Sequence, residues 1–444
     1  MPTFSIQTFG CQMNYSDSER IISFLESYQF NFINNIHKAD LIIFNTCGVR
    51  QMAEDRIYGQ INNLKQQHKK LLIVVTGCLA YRQDVQKRLK NQVDLFFNIK
   101  DFNKLEKWIH KTFSLKEKSF LDFFSSKKYP TAHKISYLSL TPKYSNFFQA
   151  YVPIMTGCNN FCTYCVVPYA RGREYSRPAK EIIQEIKKLL AKNYKEIFLL
   201  GQNVNSYYDK KQKINFAQLL KKINSLPGNF WIRFLTSHPK DMSDELIKVI
   251  TSSQKICEYV HLPLQAGDNE VLKKMNRKYS PQHYLKTIQK IKNSFKKNKP
   301  HSPFAITTDI IVGFPDETRN QFQKTKEIMK KVNYDMTYIS RYSPRPGTVA
   351  WNFPDNITLE EKKKREKEIE KILEKTSLKN NQKYLNKKVT ILIDKKRGES
   401  FYGKTRTLKN VKVISKNKKY SVGNFYTVKI TQANIWNLEG EIIE

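Results

Sequence analysis

Short apolar runs recur through the first hundred residues, separated by stretches with helical spacing. The runs Thr3–Thr8, Leu41–Asn45, Leu71–Val75 and Val93–Ile99 predict four strands. The first intervening helix is expected to begin at Ser16, with Glu19 three residues on completing a capping box. Apolar strands alternating with helices predict a parallel, doubly wound sheet buried on both faces. Residues about 111–143 show no clear period and read as a linker with no chemistry of their own. From about 147 to 350 the strand–helix pattern repeats six times. The predicted strands are Ala150–Met155, Lys195–Leu200, Phe230–Leu235, Glu258–Leu264, Ala305–Val312 and Met336–Arg341. Pro178 is expected at the first position of the first helix. Six such units predict a partial (β/α)6 barrel, with its site at the strand C-termini.

Thr358–Lys375 carries seven basic and six acidic residues at helical spacing and reads as a charged connecting helix. The pattern then changes. Lys388–Ile393, Ser400–Thr407, Lys412–Ile414, Tyr426–Ala433 and Trp436–Ile443 predict five short strands, enough for a small barrel of the OB type. The expected fold class is therefore α/β with a C-terminal small β-barrel. The expected partition is 1–115, a linker 116–143, a core 144–376 and a last domain 377–444.

Charge sharpens this picture. The chain carries a formal +37, which points to a polyanionic partner. A bland lysine-rich surface is the alternative. Residues 379–444 alone hold 15 basic against 5 acidic residues, a net +10. Phe401, Tyr402, Lys404, Arg406, Lys418, Lys419, Tyr420, Phe425 and Tyr426 interleave charge and rings there, as RNA backbone neutralisation and base stacking require. Half of those rings are expected in the small core. No run approaches ~18 apolar residues, so no membrane span is expected. Met1-Pro2-Thr3-Phe4 has neither basic nor apolar signal-peptide regions, and a cytoplasmic location is expected.

The chemistry concentrates in cysteines, seven in all. Cys158, Cys162 and Cys165 fall within eight residues as C-x3-C-x2-C, beside Gly157, Asn159 and Asn160. Three thiolates on one loop can hold three irons of a cubane cluster and leave the fourth iron open. A structural zinc site would call for a fourth close ligand, and the nearest histidines, His133 and His238, are distant. Cys11, Cys47 and Cys78 each fall at the carboxyl end of a predicted strand, where ligands bind in open α/β sheets. Three equivalent positions point to a second cluster; the alternative is three small buried hydrophobes. Cys257 has no partner motif and is expected to pack beside its strand.

Polar motifs follow the barrel strands: Gly201–Asn205, Thr236–Pro239, His261–Gly267, Thr308-Asp309 with Gly313–Pro315, and Tyr342–Thr348. His238 and His261 read as hydrogen-bonded structural histidines rather than ligands. Arg171, Arg173 and Arg177 read either as a phosphate or carboxylate site or as a solvated helix start.

The C-x3-C-x2-C loop resembles that of radical S-adenosylmethionine (SAM) enzymes. The order of parts resembles the radical-SAM methylthiotransferase family over essentially the whole chain, with the last segment similar to its RNA-binding TRAM domain. Thr8–Asn14 and Asn45–Arg50 resemble the branch acting on N6-dimethylallyladenosine at tRNA position 37, beside the anticodon. Gly48 stands where that family usually has Ser, and Asp316 where Gly is usual. The resemblance implies two [4Fe-4S] clusters, one on Cys158, Cys162 and Cys165 and a sulfur-bearing one on Cys11, Cys47 and Cys78. It implies two SAM per turnover, one methylating that sulfur and one yielding the radical that activates adenine C2–H, with all six cysteines catalytic. Gln202, Asn203 and Gln265 are expected near SAM. The implied partners are a tRNA anticodon stem-loop, a reductant such as flavodoxin or ferredoxin, and a sulfur donor, with the chain a monomer. The alternatives are a threonylcarbamoyladenosine methylthiotransferase and, from another class, a non-catalytic iron–sulfur RNA-binding protein.

Overall fold

The structure, a computed structural model, describes residues 1–48, 51–114, 137–414 and 420–443, with 51–53 as backbone only. Val49, Arg50, the linker stretch 115–136 with His133, and Lys418 and Lys419 lie outside the described residues. Compactness divides the chain into two units. One comprises Met1–Ser145, Thr156–Tyr175 and Arg345–Trp351; the other Asn146–Met155, Ser176–Pro344 and Asn352–Glu444.

The first unit is built on a five-stranded sheet in the order Asn31–Phe32, Thr3–Thr8, Leu41–Thr46, Leu72–Gly77, Leu95–Phe96. Every pairing is parallel. The central strand shows why. Leu41 and Ile43 enter one core with Phe24, Leu25 and Leu105, while Ile42 and Phe44 enter the other with Ile57, Ile61 and Val85. A strand with helices on both faces must be apolar at every position, not at alternate ones.

Two expectations change here. The first helix spans Gln12–Ser27, so Ser16 and Glu19 lie inside it and form no capping box. Their side chains have tertiary or local partners instead: Ser16 Oγ accepts from Arg20 Nη1 at 2.6 Å, and Glu19 Oε1 from Ser145 N at 2.9 Å. The fourth strand shrinks to Leu95–Phe96, and Asn31–Phe32 is an edge strand too short to show a period.

In the second unit, Gln149–Pro153, Glu196–Leu200 and Trp231–Phe234 form one parallel sheet. Tyr259–His261, Ala305–Val312 and Met336–Arg341 form another. An Ile232–Ile256 bridge joins them into six successive parallel strands, the partial barrel expected. Pro178 caps its helix, Ala179–Ala191, from one position outside. The charged helix runs longer than expected, Leu359–Gln382, and is more than a connector. It buries Lys362 against Asp355 and Arg365 against Glu317.

The last five strands, Lys388–Arg397, Ser400–Thr405, Asn410–Ile414, Phe425–Ala433 and Asn437–Ile442, close into a barrel. Phe401 is in its core, while Tyr402, Phe425 and Tyr426 are half-buried. This barrel packs on the N-terminal ends of the larger barrel's strands. Buried Arg233 pairs with Glu196 and donates to the carbonyls of Thr405 (2.8 Å) and Arg406 (2.6 Å). Arg406 in turn reaches Glu258 at 2.6 Å, Lys409 reaches Asp335 at 2.9 Å, and Trp231 lies 4.7 Å from the Phe425 ring. Cys257 packs there with Phe148, Trp231 and Leu392, as expected for a cysteine without a motif. The opposite, C-terminal strand ends carry the polar motifs. Among the described residues no helix is long and apolar enough to cross a membrane.

Candidate active site

The strand order of the first unit reverses between Thr3–Thr8 and Leu41–Thr46, and crevices at such points are where open sheets bind ligands. Cys11 follows the first of these strands, Cys47 ends the second, and Cys78 ends its neighbour Leu72–Gly77. Glycine makes the approach possible. Gly10 has φ +138°, and a Cβ there would stand 2.9 Å from the Cys47 Cβ. Gly77 has φ +84°, and a Cβ there would stand 2.3 Å from the Thr46 carbonyl oxygen. Side-chain amides then lock the strand ends: Asn14 Nδ2 donates to Asn45 Oδ1 (2.9 Å) and the Thr46 carbonyl (3.0 Å), and Asn45 Nδ2 donates to the Asn14 carbonyl (2.7 Å).

The C-x3-C-x2-C loop belongs to the same compact unit. Gly157 has φ +81°, and a Cβ there would stand 2.1 Å from the Arg173 carbonyl oxygen, so the loop passes only with glycine. The Cys158 amide donates to the Gly172 carbonyl at 3.1 Å, and the Ala350 amide to the Thr163 carbonyl at 2.8 Å. Arg171 anchors the loop to the Gln12–Ser27 helix: its Nη2 lies 2.6 Å from Asp17 Oδ2, both side chains buried. Burial works against the Arg171 charge, but Asp17, Tyr137 and the thiols of Cys78 and Cys11 hold it more firmly than in water. Gly48 lies close to Cys78 and to the residue after Cys165. A Cβ on it would lie 3.2 Å from the Cys78 Cβ and 3.3 Å from Cγ2 of Val166, the residue after Cys165.

Burial raises the Cys158 thiol pKa and pushes Cys165 up to about 12, with Cys162 as the next cause. Cys11 keeps an exposed edge, yet the protein packed around it raises its thiol and the Arg171 charge opposes this. Cys78 adds to the upward push on both Cys11 and Cys165. Among the described residues, no three His, Cys, Asp or Glu side chains converge closely enough to ligate a common ion. The donor chemistry fits iron–sulfur clusters all the same: two groups of three soft sulfur donors, with Gly10, Gly77 and Gly157 turning the chain beside Cys11, Cys78 and Cys158.

In the second unit, Gln202 and Asn203 follow the strand Glu196–Leu200. Gln202 is half-buried; Asn203 is buried and donates through Nδ2 to Asp241 Oδ2 at 2.7 Å. Gln265 sits at φ +67°, its backbone paired with Asp309 and Ile311. Among the described residues, nothing hydrogen-bonds the buried Oδ1 of Asn203, either amide atom of Asn205 or the Ser237 hydroxyl. Asn205 and Ser237 lie within the polar motifs, but nothing in a motif shows which polar atoms fail to find partners. His238 accepts from the Lys240 amide at 3.2 Å; burial and Arg277 push it down to about 2, so it is neutral. His261 bonds Thr307 (2.9 Å) and Asp309 (3.3 Å). The arginine trio is neither a solvated helix start nor one anion site. Arg171 and Arg177 are buried in ion pairs with Asp17 and Glu185, and Arg173 lies 4.3 Å over the Phe161 ring.

Residues 152–329 match the Radical SAM superfamily, and residues 3–98 match Uncharacterized protein family UPF0004. A radical S-adenosylmethionine methyltransferase from Kitasatospora setae shares the fold with TM-score 0.55 at 11% identity, over 78% of this chain and 74% of that one. A tRNA-2-methylthio-N(6)-dimethylallyladenosine synthase from Thermoanaerobacter pseudethanolicus is 40% identical over 99% of this chain and 93% of its own length. The protein of that name from Caldicellulosiruptor saccharolyticus is 42% identical over 99% and 92%. A match of this depth, end to end, shows that the chain belongs to the family of tRNA-2-methylthio-N(6)-dimethylallyladenosine synthases, the radical-SAM methylthiotransferases.

Proposed function

We propose that this protein installs a methylthio group at C2 of N6-dimethylallyladenosine in tRNA, at position 37. The observation that carries the reading is the gathering of six cysteines, as two sets of three, in one compact unit. A single glycine, Gly48, touches the surroundings of both sets.

A cluster on Cys158, Cys162 and Cys165 would supply the electron for reductive SAM cleavage, and one on Cys11, Cys47 and Cys78 the sulfur for C2. An aromatic C2–H is far too weak an acid for general-base removal, which is why this chain needs thiolate-held metal rather than a catalytic carboxylate. Its own residues do the rest. The raised thiol pKa values of Cys158 and Cys165 mean that loading releases protons, which ties loading to pH. Arg171, fixed by Asp17, places positive charge near Cys11 and Cys78, where anionic sulfur must be stabilised. Gln202, Asn203 and Gln265, with the partnerless Asn205 and Ser237, are the groups we assign to SAM. The C-terminal barrel sets Lys395, Tyr402 and Lys412 side by side on adjacent strands, a row suited to an RNA backbone.

The test is conversion of defined tRNAs by anaerobically reconstituted protein. Dimethylallyl-bearing tRNA should gain the methylthio group, while unmodified and threonylcarbamoylated tRNA should not. Comparable conversion of the threonylcarbamoyl form would move the assignment to that substrate.

A further inference from the structure

We propose that the Tyr81 hydroxyl is a built-in hydrogen-bond donor to a sulfur of the cluster held by Cys11, Cys47 and Cys78. The inference rests on the reading above that these cysteines hold such a cluster.

Tyr81 lies three residues beyond Cys78, where the chain leaves the strand Leu72–Gly77. Its ring is half-buried, but its Oη is fully buried and has no hydrogen-bond partner. A buried hydroxyl without a partner loses its water bonds and gains nothing in return, so native folds retain one where something absent from the chain completes it. Among the described residues, no protein group completes it. The adjacent Arg82 is committed to Glu54 at 2.7 Å and to Asp84. The 345–351 segment comes near it: a Cβ on Gly347 would lie 3.8 Å from the Tyr81 Oη.

The place of the phenol points to the missing partner: the chain reaches Tyr81 directly from the strand end that carries Cys78. Burial is the main reason its pKa is pushed up to about 12; Arg82 opposes this, and Cys78 and Cys165 add to it. The group is therefore a neutral O–H, able to donate, just beyond Cys78 in the chain. Cys78 is the nearer in sequence and stands on the same strand end, so the bond is assigned to its cluster. A donor to cluster sulfur withdraws electron density and raises the reduction potential. Tyr81 thus acts as a positioning and tuning residue for the sulfur to be transferred. The sequence alone gave no hint of it, because Tyr81 falls just past the cysteine motif and resembles an ordinary surface aromatic.

The test is Tyr81→Phe, which removes one oxygen and nothing else. It is made in a Cys158→Ala, Cys162→Ala, Cys165→Ala background, so that one cluster is observed. The reduction midpoint is read by EPR-monitored titration at equal iron content. The variant's midpoint should be more negative, by about the 59 mV that corresponds to a tenfold change in a one-electron equilibrium. In metal-free protein, Tyr81→Phe should melt no lower than its parent, and it should gain less stability on loading. An unchanged midpoint overturns the proposal, and so does a metal-free variant that melts clearly lower, since that would give the hydroxyl a protein partner. A parent protein that binds no iron in this background would instead refute the cluster reading itself, before Tyr81 is in question.

Discussion

Asp17 and Arg171 are 154 residues apart in sequence and 2.6 Å apart in the structure, with side-chain exposures of 0% and 3%. The pair ties the cysteine loop to the helix that follows Cys11. Removing one partner of a buried pair leaves a charge without compensation, which costs about 3–5 kcal/mol. Replacing both by apolar groups is close to neutral. The two single variants should also differ. Asp17→Asn takes from Arg171 its carboxylate partner, whereas Arg171→Met leaves Asp17 with Arg20 still in electrostatic reach. Asp17→Asn should therefore cost more. Native-state hydrogen exchange on metal-free protein reads this directly in peptides covering 12–27 and 156–171. Opening should become roughly 100- to 4,000-fold more frequent in Asp17→Asn, at 1.4 kcal/mol per tenfold. The double variant Asp17→Leu with Arg171→Met should recover most of that loss. A single-variant loss below about 1 kcal/mol, or a double variant equal to the sum of the singles, refutes the anchoring argument.

Other consequences are as direct. Cys257→Ser should leave iron at about eight per chain after anaerobic reconstitution, since it lines a hydrophobic cluster; iron loss in that variant would give it a ligand role. Lys395→Gln with Lys412→Gln should weaken tRNA binding and reduce the salt slope by about one per lysine, as log Kd against log salt would show. Substitution tests this better than truncation, because deleting the last barrel would strip buried Arg233 of its carbonyl partners. Glu258 is also pH-sensitive in a defined direction. Burial raises its pKa, but Arg406 and Lys299 outweigh that and hold it below the usual 4.5. Its contribution is thus present above about pH 4.5 and lost as pH falls through the depressed value. Hydrogen exchange across 388–414 should rise over that acid range in the parent and change less with pH in Glu258→Gln.

The sequence made the fold legible wherever local pattern and tertiary demand coincide. Leu41–Phe44 is apolar at every position because both faces of its strand are covered, and Ala305–Val312 and Met336–Arg341 match their predicted bounds. It was misleading where side chains answer to distant partners. Ser16 and Glu19 copy a capping box, yet they sit inside a helix that begins at Gln12. Arg171 reads in the sequence as an anion site or a solvated helix start, because its partner, Asp17, lies in another part of the chain. The cysteine spacings were plain in the sequence, but not their residence in one compact unit, which depends on the Gly10, Gly48 and Gly157 contacts.

The central claim is that the six cysteines form two sites with separate tasks. The most direct measurement compares two triple-alanine proteins, one at Cys11, Cys47 and Cys78 and one at Cys158, Cys162 and Cys165. Each is folded, reconstituted to about four irons and given reductant, SAM and dimethylallyl-bearing tRNA. The first should still release 5′-deoxyadenosine but form no methylthio-adenosine; the second should release no 5′-deoxyadenosine. Methylthio product from the first protein would make the N-terminal set structural and contradict the account.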